Sequence, residues 1–127
     1  MIGVLLAHLA GDYLLQSDWM ATEKTKRWRP AWVHALVYGL PFLLVTQSPA
    51  ALAVIVGTHA VIDRYRLARY LVWVKNFLAP RRYWLKWEDC RVTGYHKSLP
   101  LWLSTWLMII ADNTVHMLIN VAAVRWL

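Results

Sequence analysis

Residues 50–63 read Ala-Ala-Leu-Ala-Val-Ile-Val-Gly-Thr-His-Ala-Val-Ile-Asp, an apolar run that closes on a histidine and an aspartate four residues apart. Four residues is just over one helical turn, so on a helix His59 and Asp63 project from one face. The same spacing recurs in two other apolar stretches, as His8 with Asp12 and as Asp112 with His116. Ionisable groups in so apolar a setting lose their hydration and need a partner. A bound divalent metal would satisfy all three pairs at once, which places the function where these faces meet.

The chain around that run has 127 residues, room for one domain spanning 1–127. Hydrophobic residues make up 59% and the mean hydropathy is +0.37, both above the range of ordinary soluble domains. Many of the nine tryptophans and six tyrosines lie near the ends of apolar runs, as in the aromatic belts of a membrane–water interface. The composition predicts an all-α fold, a polytopic membrane bundle of about four helices with a basic, Trp-rich interfacial segment.

The formal charge of +7 raises nucleic acid as a partner, but its distribution argues for lipid. Four of the fourteen Lys and Arg residues lie between Lys24 and Arg29, nine between Arg64 and Lys97, and one is Arg125. Two intervening helices would bring the first two clusters to the same side of a bilayer, the positive-inside pattern, facing anionic headgroups. Cys90 is the one cysteine, so no disulfide within the chain and no cysteine-based zinc knuckle can form. The opening run lacks a basic start and a small-residue cleavage site, so it reads as a retained helix.

Along the chain, a first helix is expected over residues 1 to about 20, with His8, Asp12 and Gln16 at successive four-residue steps. A polar, basic stretch follows from Ser17 to Pro30, where proline suits a helix start. A second helix from about Ala31 to Val45 carries His34 and, one turn later, Tyr38. The third starts near Ala50 and turns basic and aromatic beyond Asp63. Residues 71–99 mix Trp, Arg and Lys with aliphatics, as expected of a segment lying along headgroups. The last helix, from about Pro100 to Val124, holds Asp112, His116 and Asn120 in one series.

Neutral imidazole and carboxylate suit Zn²⁺ first, with Mn²⁺ or Fe²⁺ also accommodated. The candidate ligands are His8, Asp12, His34, His59, Asp63, Asp112 and His116. That is more than one tetrahedral ion needs, so either two ions share the set or some residues orient the others. Asp12 and Asp63 are the candidate proton carriers of a catalytic site, with Gln16 and Asn120 extending the ligand-bearing faces. His96 sits beside Lys97 in a basic loop and reads as a surface residue.

The run from His8 to Gln16, followed by Asp18-Trp19-Met20 and Lys24, resembles the start of a bacterial and phage membrane-protein family, domain of unknown function 3307. The resemblance continues through His34 to Tyr38, His59 to Asp63, and Asp112 to His116. It implies a cytoplasmic (inner) membrane protein, multi-pass, and brings no established activity with it. Arg66 and Asn113 depart from the family pattern, which tends to have lysine and glutamine there. A looser similarity, to membrane-bound metal-dependent hydrolases with intramembrane His and Asp, implies hydrolysis of a lipid-linked or phosphate ester. Two further classes stay open at this point. One is a phage membrane interaction protein that meets a host membrane protein and uses its metal or polar network as a staple. The other is an ion conduit built as a homo-oligomer.

Overall fold

The computed structural model describes residues 1–127 and contains helices and turns but no strand. The chain divides into two compact units, Met1–Tyr65 with His116–Leu127, and Arg66–Val115.

The first unit opens with α1, Ile2–Leu9, which runs directly into a wide π-helical turn over Ala10–Leu14. The expected first helix therefore stops well short of residue 20, and Gln16 leaves the face shared by His8 and Asp12. Ser17 then caps a new helix, α2 (Asp18–Glu23), its hydroxyl accepting from the Met20 amide at 3.3 Å. After the turn at residues 24–27 comes α3, Trp28–Gly39, tightened by a 3₁₀ segment at Leu40–Leu44 where Pro41 cannot continue the α ladder. Ser48 precedes α4, Pro49–Tyr65. In the 24–27 turn Glu23 accepts from Lys26 at 2.9 Å and Arg27 at 2.7 Å, which holds its carboxyl below the usual range.

Small residues set how closely these helices approach. Ala31, Ala35 and Gly39 recur every four residues on α3, and all are buried. A Cβ on Gly39 would lie 2.7 Å from the Val56 side chain of α4. Gly11, in the wide turn, sits directly on Tyr38 of α3: a Cβ there would fall 2.8 Å from the Tyr38 carbonyl oxygen. Such contacts are the small-residue packing that brings backbones together in apolar helix assemblies. Val4, Ala7, Tyr38, Phe42, Ala51, Ile55 and Ala123 form the core of this unit.

The second unit begins at Arg66, whose φ of 51° breaks the expected continuous third helix between α4 and α5 (Leu67–Val74). The Arg66 guanidinium donates to the Val92 carbonyl at 2.9 Å within this unit. Short 3₁₀ turns at Lys75–Leu78 and Arg81–Tyr83 and a short α6, Trp87–Cys90, follow. Indole hydrogen bonds staple this segment, Trp73 to the Leu85 carbonyl at 2.9 Å and Trp84 to that of Ala79 at 2.8 Å. Tyr70 stacks on Trp87 at 4.7 Å while the Arg69 guanidinium lies over both rings. Gly94 has φ +85°, and a Cβ there would also strike the Arg69 carbonyl and Val72, so glycine suits the position on both counts. Asp89 is held below its usual range by Lys97, 2.7 Å away.

The last helix, α7, spans Leu101–Trp126 as expected. At 26 residues it is the one helix long and apolar enough to cross a membrane, while Ile2–Leu14 is apolar but shorter. The coarse all-helical expectation holds, whereas four bilayer-length helices are not present: the chain breaks into seven α-helices joined by tight turns. Three of the breaks fall at the π turn, at the 3₁₀ segment that holds Pro41, and at the left-handed Arg66. Large apolar side chains remain on the outside, among them Leu14 at 80%, Leu44 at 92% and Leu118 at 68% exposure.

Candidate metal centre

The π turn delivers Asp12, α3 delivers His34, and α4 delivers His59 and Asp63. All four are buried, and both imidazoles are fully so. Their coordinating atoms converge on one point. His34 Nε2 lies 2.9 Å from His59 Nε2, 3.2 Å from Asp12 Oδ1 and 3.3 Å from Asp63 Oδ2. His59 Nε2 lies 3.3 Å from Asp12 Oδ1 and 3.2 Å from Asp63 Oδ2.

An imidazole nitrogen carries at most one proton, so it cannot hydrogen-bond two carboxylates and a second imidazole together. The arrangement instead matches a cation cradle. Four ligands at about 2.0–2.1 Å from a tetrahedral zinc stand roughly 3.3 Å from each other. Four ligand atoms define six separations: the four between imidazole and carboxylate are 3.2–3.3 Å, the imidazoles need to part by a few tenths of an ångström, and all lie within 4.8 Å of one another. The residues thus fit a divalent metal in both chemistry and spacing.

Lys24 completes the inner charge set. Its ammonium sits 2.7 Å from Asp63 Oδ2 and 3.2 Å from His34 Nε2. Metal ligation needs both imidazoles neutral, and in that state two carboxylates and one ammonium leave the cluster at about one negative charge.

A second layer of polar groups backs the first. Asp12 Oδ2 lies 3.6 Å from His8 Nδ1, and Asp63 Oδ1 lies 3.9 Å from His116 Nε2. The Tyr38 ring stacks on His59 with centroids 3.6 Å apart. Its hydroxyl accepts from Asn120 Nδ2 at 2.6 Å and so can donate to His8 Nδ1, 2.8 Å away.

A family model described as "Protein of unknown function (DUF3307)" matches residues 1–124. The chain belongs to the DUF3307 family. No curated protein and no solved structure matches it.

Of the seven ligands expected from sequence, the DUF3307 chain gathers Asp12, His34, His59 and Asp63 into one cradle. His8 and His116 stand behind the two carboxylates. Asp112 lies one turn before His116 on α7 and belongs to the second unit. Asn120 is buried and donates to the Tyr38 hydroxyl, a contact between helices. Lys24 is the member that spacing does not reveal, because it lies in a charge run that reads as a solvated loop.

The Tyr38 hydroxyl should matter to stability more than to metal uptake. In the DUF3307 chain, Tyr38→Phe keeps the ring on His59 and removes a buried hydrogen bond each from His8 and Asn120. The expected cost is about 1–3 kcal/mol, with zinc content unchanged. Thermal unfolding beside a metal assay checks it, and an unshifted melting temperature would contradict the network.

Proposed function

We propose that this chain is an integral membrane protein that holds one divalent metal ion, zinc first, between Asp12, His34, His59 and Asp63, and hydrolyses a phosphate ester presented at the lipid surface. The observation that carries it is the convergence of two imidazoles and two carboxylates from three helical segments on one buried point. When bound, such an ion lowers the pKa of a coordinated water and polarises a phosphoryl oxygen.

The chain's own residues supply the remaining functions. Asp12 and Asp63 each present one oxygen to the cradle and keep the other beside a histidine, at 3.6 Å from His8 and 3.9 Å from His116. Those outer oxygens are the places for a proton to go. Lys24, at the most exposed edge of the cradle, carries a positive charge that an anionic ester could meet as it approaches. Tyr38 and the core side chains close the cradle from beneath and leave its Lys24 edge as the more exposed side.

Membrane insertion is supported by α7 and by the exposed leucines of α1, the turn after it and the 3₁₀ segment. The second unit supports a headgroup contact. Phe77 and Leu78 project between Lys75 and Arg81–Arg82, an amphipathic edge suited to anionic lipid. These features favour a multi-pass protein of the inner membrane.

A structural role for the metal is the second reading, favoured by the fact that all four ligands come from protein and are buried, as in closed zinc sites. One experiment separates the two. The full chain is extracted in detergent and assayed for phosphate release from a lipid phosphomonoester in mixed micelles and from a soluble aryl phosphate. The expected result is release that stops on chelation and returns with Zn²⁺ or Mn²⁺. Stoichiometric zinc with no release from either substrate would leave the closed, structural site. Release of the protein from membranes by alkaline carbonate alone would overturn the insertion.

A further inference from the structure

Lys24 is the one member of the inner set that is neither a metal ligand nor deeply enclosed. Its side chain is 17% exposed, against 0–1% for the imidazoles of His34 and His59 and 6–10% for the two carboxylates. It therefore marks the side of the cradle nearest to water. Its ammonium contacts Asp63 Oδ2 and His34 Nε2, two of the four atoms that an ion would use.

We propose that Lys24 is a displaceable internal cation, which fills the cradle until a divalent ion replaces it. The inference rests on the metal reading above and names the residue that controls access to that site. Two buried carboxylates without a countercharge would be strongly destabilised, and the ammonium supplies that charge before metal arrives. With a dication bound, the two carboxylates are already neutralised. An ammonium retained there would be repelled by the ion and would compete for Asp63 and His34.

The local backbone is built so that only the side chain needs to move. Arg64 donates to the Thr25 carbonyl at 2.9 Å, and Glu23 is bridged to Lys26 and Arg27, which pins the turn on both sides of Lys24. The four-carbon stem can then swing outward while the turn stays in place. The exchange also selects for charge. A monovalent ion entering in place of the ammonium changes nothing in the net charge, whereas a divalent ion completes neutralisation of both carboxylates.

The test uses the full chain in detergent, with zinc alone as the ligand. Lys24→Met removes the competitor and is expected to bind zinc about tenfold or more tightly than wild type, while Lys24→Arg stays within about threefold of it. A second measurement needs no variant. Acetylation of Lys24, read by mass spectrometry against exposed Lys26 as the internal reference, is expected to rise about threefold on zinc loading. Tighter binding in Lys24→Met, or faster acetylation where that variant does not fold, supports the exchange. Zinc binding by wild type with neither change overturns it and leaves the metal site standing. A wild-type chain that takes up no zinc overturns the metal reading and this inference together.

Discussion

His59→Ala is expected to empty the metal centre: bound zinc should fall from the one equivalent per chain expected of the wild type to near zero after a single desalting step. Structural four-ligand zinc sites contribute roughly 10–16 kcal/mol, so one ligand in four is worth about 3 kcal/mol, or roughly 10²-fold in affinity. The substitution also removes the ring stacked 3.6 Å over Tyr38 and leaves a void among buried side chains. Asp63→Asn separates coordination from packing, since it keeps the volume while removing the charge and the partner of Lys24. Both variants should lose zinc, and His59→Ala should also lose intrinsic stability. The second readout is the melting temperature. Zinc at a hundred times its Kd stabilises the wild type by about 2.7 kcal/mol and should leave either variant unshifted. A His59→Ala protein that keeps its full equivalent of metal would remove the cradle from consideration.

Gly11→Ala is the other large effect, because the added methyl has nowhere to go. Its Cβ would lie 2.6 Å from the Tyr38 ring, 2.8 Å from the Tyr38 carbonyl oxygen and 3.0 Å from its Cα. Two of those atoms are backbone, so α3 itself has to retreat. Overpacking usually costs about 1–3 kcal/mol, and a clash with main chain belongs at the top of that range. The shift acts where it does most harm, one residue from Asp12 and on the residue that stacks on His59. The expected result is a melting temperature lowered by several degrees together with loss of zinc. Gly57→Ala is the matched control, since a Cβ there meets nothing within 4 Å, and it should change stability by less than about 1 kcal/mol. Equal behaviour of the two alanine variants would contradict the close crossing of the wide turn with α3.

Much of the centre is legible in the amino-acid order. Histidine and aspartate one turn apart in apolar runs mark Asp12, His59 and Asp63, and an isolated histidine at the start of an apolar run marks His34. Spacing along one helix, however, says only which side chains share a face. It does not say that Asp12 turns toward His34 and His59 while His8 turns toward Tyr38, because that choice is made by the crossing of separate helices. Lys24 escapes for a related reason: a lysine among Glu23, Lys26 and Arg27 looks solvated until the fold brings Asp63 to it. Helix existence is read well from hydropathy, as α7 shows. The interruptions at Ala10–Leu14 and Arg66 are not. A Gly-Asp dipeptide fits an α turn as readily as a π turn, and nothing in the letter Arg announces a φ of 51°.

The wide turn at Ala10–Leu14 makes this stretch sensitive to length more than to composition. A π turn holds one residue more than the α turn it interrupts, and such turns gather at functional positions. Loss of a single codon at Ala10 or Gly11 would let the ordinary winding close up, at no cost in helicity. It would also draw the preceding residues one position along the chain, and loss of Gly11 would set the Ala10 methyl on Tyr38 where a Cβ has no room. Point changes can weaken the centre by degrees, whereas an in-frame deletion of this kind switches it off in one mutational step.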